Sequence, residues 1–132
     1  MSREDFNQSS ILIQDILART LISVSNSTTA LQIAKMMEQG GIGAIIVKEN
    51  DAPKGIVTDR DFATKIAANN LSLDTTAEKI MSSPLITINH NEPISAAAER
   101  MSNKKIRKLA VTENGKIVGL ITSTDLVNQL AK

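Results

Sequence analysis

Cysteine is absent from the sequence, which excludes disulfides, thiolate metal sites and cysteine nucleophiles together. Tryptophan and tyrosine are absent too, and Phe6 and Phe62 are the only aromatic residues. An RNA or single-stranded DNA surface built by stacking bases on aromatic rings is therefore not expected. His90 is the sole histidine, so multi-histidine metal sites are excluded and a His-dependent catalytic triad has little to draw on. No apolar run approaches the ~18 residues that a membrane span requires. The opening Met-Ser-Arg-Glu-Asp has acids early and no apolar stretch behind a basic one, unlike a secretory signal. A cytoplasmic protein is expected, without membrane or nucleic-acid partners.

What is present is aliphatic. The chain has 132 residues, 42% of them hydrophobic and 22% charged, the composition of an ordinary globule. That length allows one compact domain, or two small halves sharing a core. The formal net charge is +1. Lys104, Lys105, Arg107 and Lys108 form a local basic cluster. A general nucleic-acid binder would carry a broader basic face; a cluster this small suits one small anion, or a solvated turn.

An internal repeat organises the chain. Shifted by 64 residues, 15–68 aligns with 79–132 without a gap, with 13 identities in 54 pairs; chance would give roughly 3. Identical pairs include Ile16/Ile80, Leu21/Leu85, Met37/Met101, Val47/Val111, Gly55/Gly119, Thr58/Thr122 and Asp61/Asp125. The expected organisation is an N-terminal arm (1–14), repeat one (15–68), a linker (69–78) and repeat two (79–132). In the arm, Phe6, Ile11, Leu12 and Ile13 suggest a docking arm or a short helix.

Each repeat has the same pattern. A short extended segment comes first, Leu21–Val24 or Leu85–Ile88. Then Ala30, Ile33, Ala34 and Met37, matched by Ile94, Ala97, Ala98 and Met101, fall on one helical face. Ser27 and Asn91 are candidate N-caps, Pro93 suits a first turn, and Gly40-Gly41 stops the first helix. Two strand-length apolar runs follow, Ala44–Val47 with Ile56–Thr58, and Leu109–Thr112 with Ile117–Thr122. Asn114-Gly115 between the second pair signals a hairpin. A second helix closes each unit, Asp59–Ala68 or Ser123–Ala131. The expected fold class is α/β (α+β), two pseudo-twofold-related β-α-β-β-α repeats forming one compact module. One half alone buries little surface. Two halves packed about such an axis create related clefts, which ligands favour.

The sharpest local element is Gly55-Ile56-Val57-Thr58-Asp59-Arg60-Asp61, with its partner Gly119-Leu120-Ile121-Thr122-Ser123-Thr124-Asp125. Thr-x-x-Asp at a helix start reads as a capping box. A glycine upstream permits close backbone approach. The reading is compatible with a ligand: a helix N-terminus suits phosphate, and a carboxylate can accept two hydrogen bonds from a ribose diol. A catalytic pair formed by Asp61 and Asp125 is not expected, since other catalytic groups are missing. Nor is a dinucleotide loop expected at Gly40-Gly41. His90 reads as plain surface, and the methionines at helical spacing as core filler.

Residues 15–132 resemble a tandem CBS domain pair, a Bateman module. The resemblance rests on Gly-h-x-Thr-x-x-Asp in both copies, on the openings Asp15-Ile16-Leu17 and Lys79-Ile80-Met81, and on Pro84-Leu85-Ile86-Thr87-Ile88. It implies a regulatory role without catalysis, with an adenosine nucleotide (AMP, ADP or ATP) or a related adenosyl ligand in the clefts between the repeats. Carried over, Asp61 and Asp125 would hold ribose hydroxyls, and Thr58 and Thr122 would bond ribose or phosphate. Asp59, Arg60, Ser123 and Thr124 would line the phosphate end. Arg107 and Lys108 stand where the family often has basic residues before a strand; repeat one has Gly43 and Ala44 instead. Ser23, Val24, Thr87, Ile88, Ile42 and Ile106 would border adenine. The resemblance also implies a homodimer, a four-repeat disc, and a protein partner regulated in trans. The competing expectation is a non-sensing interaction or dimerisation module with one or both clefts vestigial.

Overall fold

The computed structural model describes residues 11–19 and 21–131. The chain divides into two compact units. One runs from Ile22 to Leu85; the other joins the segment ending at Leu21 to Ile86 and everything after it. Each unit is built on a three-stranded sheet, so the mixed α/β architecture expected from the repeat is present.

In the Ile22–Leu85 unit, β1 (Ser23–Ser25) leads into α1 (Ala30–Gly40), then β2 (Ala44–Glu49), β3 (Ala52–Thr58) and α2 (Asp59–Asp61). The last continues as a π-helical stretch over Phe62–Ala67, and α3 (Ala77–Ile80) follows. Strand β1 pairs parallel to β2, and β2 pairs antiparallel to β3. The other unit repeats this scheme with β4 (Thr87–Asn89), α4 (Ile94–Lys104), β5 (Lys108–Glu113), β6 (Lys116–Thr122) and α5 (Ser123–Leu130). A 3-10 turn at Ile13–Asp15 belongs to this unit.

Central strands bury both faces, which is why they read as continuous apolar runs. Ile45, Ile46 and Val47 are fully buried, as are Leu109, Ala110 and Val111. The two cores use matched positions with side-chain sizes exchanged. Ala30, Ile33 and Ala77 fill one core, where Ile94, Ala97 and Ile13 fill the other. Such trades conserve volume and preserve close packing.

Both hairpins turn through two residues with positive φ, Asn50 and Asp51 (51° and 65°) and Asn114 and Gly115 (53° and 78°), the backbone that matches strand twist. The apolar runs Ala44–Val47 and Ile56–Thr58 leave residues 48–55 as a longer connection in the first hairpin. Strand β3 instead begins at Ala52, because Asp51 adopts the left-handed backbone that glycine supplies in repeat two. Helix starts differ from expectation as well. Thr29, not Ser27, caps α1: its hydroxyl accepts from the Gln32 amide at 3.2 Å, and the Gln32 side chain accepts from the Thr29 amide at 2.9 Å. Pro93, not Asn91, is the cap residue of α4 and contributes no side-chain bond.

The stretch joining the repeats is part of the first sheet unit. The Ala30 and Leu31 amides at the start of α1 donate to Thr75 O (2.8 Å) and Leu73 O (3.0 Å). Ala77 and Ile80 are fully buried in the core of this unit. Of the expected arm, residues 1–10, including Phe6, lie outside the described residues. Ile11 packs against the core of the second unit, and Ile13 is buried within it. His90, expected to be plain surface, bonds Gln14 Oε1 through Nδ1 at 2.6 Å and lies 3.6 Å from Glu113. No helix among the described residues is long and apolar enough to cross a membrane.

Candidate functional site

Topology brings the expected site residues of each repeat to one end of its sheet. Strands β1 and β2 are parallel and β3 is antiparallel, so the starts of the first two lie beside the end of the third. Ser23, Val24 and Ile42 therefore share a sheet end with Thr58, Asp59, Arg60 and Asp61. The same geometry groups Thr87, Ile88 and Ile106 with Arg107, Lys108, Thr122, Ser123, Thr124 and Asp125. Ile88 is buried in the core, and Val24, Ile42 and Ile106 pack against the cores. Val24, Ile42 and Ile106 stay partly exposed beside that packing, and Ser23 and Thr87 are exposed.

Both Thr-x-x-Asp elements form the expected cap. The Thr58 amide donates to Asp61 Oδ2 at 2.8 Å, and its hydroxyl donates to the same oxygen at 3.3 Å. The Thr122 amide donates to Asp125 Oδ2 at 2.8 Å, and the Asp125 amide donates to the Thr122 hydroxyl at 3.1 Å. The upstream glycines do permit close approach, but of the protein's own chain. A Cβ at Gly55 would lie 2.6 Å from Ser82 O, and one at Gly119 would overlap Ala18 O. Single bridges, Ile56 with Ser82 and Leu120 with Ala18, hold these crossing segments in place.

Beyond the cap, the two carboxylates differ. Asp61 is 4% exposed. Its Oδ1 accepts from the Ser82 hydroxyl at 3.1 Å and faces Lys65 Nζ at 3.0 Å. Lys65 Nζ also donates to Ile80 O (2.8 Å) and Met81 O (3.1 Å), capping the end of α3. Sequence reasoning did not find Lys65 or Ser82. Asp125 is partly exposed and, among the described residues, keeps only the cap bonds with Thr122.

Cations are unequally placed as well. The Ser123 amide donates to Arg107 O at 2.8 Å, and Lys108 pairs in register with Thr122. Two basic residues therefore stand beside the repeat-two helix start, and Arg107 is exposed. In repeat one the matching positions are Gly43, whose carbonyl accepts from the Asp59 amide at 3.2 Å, and Ala44, in register with Thr58. No group of three or more His, Asp or Glu side chains suited to a metal ion occurs among the described residues. A groove lined by Ala96, Glu99, Arg100, Asn103 and Lys104 includes none of the expected site residues.

The duplicated sheet unit and its paired caps are matched by a family model described as the CBS domain, which covers residues 13–68 and again 77–132. The chain belongs to the CBS-domain family. It is a tandem CBS pair. The two matched spans keep the 64-residue offset of the repeat and include both the 3-10 turn and α3. Uncharacterized protein MK0525 of Methanopyrus kandleri is 36% identical over 121 residues, covering 89% of this chain and 62% of that protein. The chain thus spans less than two thirds of that relative's length. Among solved structures, the CBS domain protein PAE2072 from Pyrobaculum aerophilum, complexed with AMP, has a TM-score of 0.79 at 27% identity. The match covers 92% of this chain and 100% of that one. The CBS domain pair of protein MJ0100, in complex with 5-methylthioadenosine and S-adenosyl-L-methionine, has a TM-score of 0.82 at 28% identity, covering 91% and 95%.

Proposed function

We propose that this CBS pair is a regulatory module that senses an adenosine nucleotide, with repeat two as its better-equipped site. The observation that carries the reading is the juxtaposition at one sheet end of Asp125, with carboxylate acceptor capacity left over from its cap, and Arg107 and Lys108. The carboxylate suits a ribose diol. The guanidinium and ammonium suit phosphate, Arg by its planar fork and Lys as a compact charge. The Thr124 amide, in the first turn of α5, adds the positive end of a helix dipole. Ligands carrying adenosine in two CBS-pair neighbours, AMP in one and methylthioadenosine with S-adenosylmethionine in the other, support the same class here.

Regulation follows if the ligand binds one conformation or assembly of the chain better than another, since only differential affinity shifts an equilibrium. A homodimer, with a protein partner acted on in trans, is the assembly this reading favours. The chain itself would carry out no catalysis.

Isothermal titration calorimetry with AMP, ADP, ATP, NAD and S-adenosylmethionine in turn tests the reading. Calorimetry suits a chain without tryptophan or tyrosine. Saturable micromolar binding of at least one ligand is expected. Silence from all five would overturn the sensing function and leave an interaction module.

A further inference from the structure

A carboxylate has about four lone-pair positions for hydrogen bonds. At Asp61 all of them are taken: the Thr58 amide and hydroxyl on Oδ2, the Ser82 hydroxyl and the Lys65 ammonium on Oδ1. The side chain is also almost wholly buried. A ribose diol could bond this carboxylate only by displacing donors already in place, one of them charged. Such bonds are among the stronger ones in proteins.

Lys65 is held from several sides. Its three ammonium protons face Asp61, two carbonyls at the end of α3 and, at 3.4 Å, the Ser82 hydroxyl. The helix that bears it is π-wound from Phe62 to Ala67, a rare local form. Helix α5 shows no such stretch.

The positions that match Lys65 and Ser82 in the 64-residue register are Gln129 and Ala18. Alanine has no donor, and Gln129 carries no charge. The difference between Asp61 and Asp125 is therefore written into these two substitutions; Ser82 and Ala18 lie on segments that occupy matched places beside Gly55 and Gly119.

We propose that Lys65 and Ser82 close the repeat-one site from within, so that each chain takes one adenosine nucleotide, at the repeat-two motif. This rests on the nucleotide-sensing reading above. In that arrangement Asp61 is a structural carboxylate that clamps residues 80–82 onto its own sheet. Lys65 and Ser82 are positioning residues that determine stoichiometry.

The test is the AMP stoichiometry, by calorimetry, of four full-length chains: the unaltered protein, Asp125→Asn, the double variant Lys65→Gln/Ser82→Ala, and the triple variant combining all three changes. The expected binding is one AMP per chain, none, two and one, respectively. Two AMP per unaltered chain, or one retained by Asp125→Asn, would overturn the proposal. A double variant that is folded by circular dichroism and still binds one AMP would also overturn it. If the double variant does not fold, the unaltered protein and Asp125→Asn decide. Absence of binding throughout, to AMP, ADP, ATP, NAD and S-adenosylmethionine alike, would be the failure of the sensing reading itself, and would take this proposal with it.

Discussion

Single side chains carry the chemistry here, and their sequence neighbours made part of it legible. Thr58, Asp61, Thr122 and Asp125 could be paired on sequence because a capping box closes within four residues. The Lys65–Asp61 pair spans only four residues, but the bonds of Lys65 and Ser82 that close the network span 15 to 21 residues and exist only once α3 has docked, so the roles of these two residues could not be read. The glycines were legible as close-approach positions, but not as the crossing points of residues 17–18 and 81–82. Gly55→Ala would press a methyl group between Ser82 O and the Met81 sulfur. A loss of roughly 1–3 kcal/mol is expected for such overpacking, read from chemical denaturation. At the proposed phosphate end, Arg107→Ala/Lys108→Ala is expected to weaken AMP by about 1–3 kcal/mol. Adenosine, which has no phosphate, should be unaffected in the same calorimeter. Equal losses for both ligands would assign these residues to packing.

At the scale of elements, hydrophobic periodicity located both long helices and all four strands of the two hairpins. Boundaries were less legible because they depend on local hydrogen bonds. Ser27 and Thr29 are both suitable caps by composition. Thr29 takes the role because the chain at 73–75 supplies carbonyls to the first two amides of α1, which sets where the helix begins. Thr29→Ala is expected to cost ~1 kcal/mol of stability, as loss of a cap commonly does. The first hairpin offers a test of opposite sign. Asp51 has φ 65°, and its 3.9 Å ion pair with Lys48 is too exposed to contribute much. Asp51→Gly, which recreates the Asn-Gly turn of repeat two, is expected to raise stability by about 0.5–1 kcal/mol. A thermal melt reads either change.

The whole molecule is not two self-sufficient halves. Each compact unit takes a short segment from outside the 54-residue span that forms its sheet and helices: Ile13 in one core, and Ala77 with Ile80 in the other. The sequence repeat was legible because gene-level duplication preserves register. This sharing was not, because register says nothing about which core a segment enters. A fragment covering 15–68 lacks Ala77 and Ile80 and is expected to show no cooperative unfolding by circular dichroism, whereas 22–85 retains the full core of its unit. The functional claim belongs to this scale too, since the two repeats share a fold and a motif yet differ in cations and in the state of the carboxylate. The most direct test of where the ligand sits is a titration of isotopically labelled protein with AMP, followed by amide NMR. The account predicts saturable shifts at Arg107, Lys108 and the stretch from Thr122 to Asp125. Shifts confined to other surfaces, such as the outer face of α4, would contradict it.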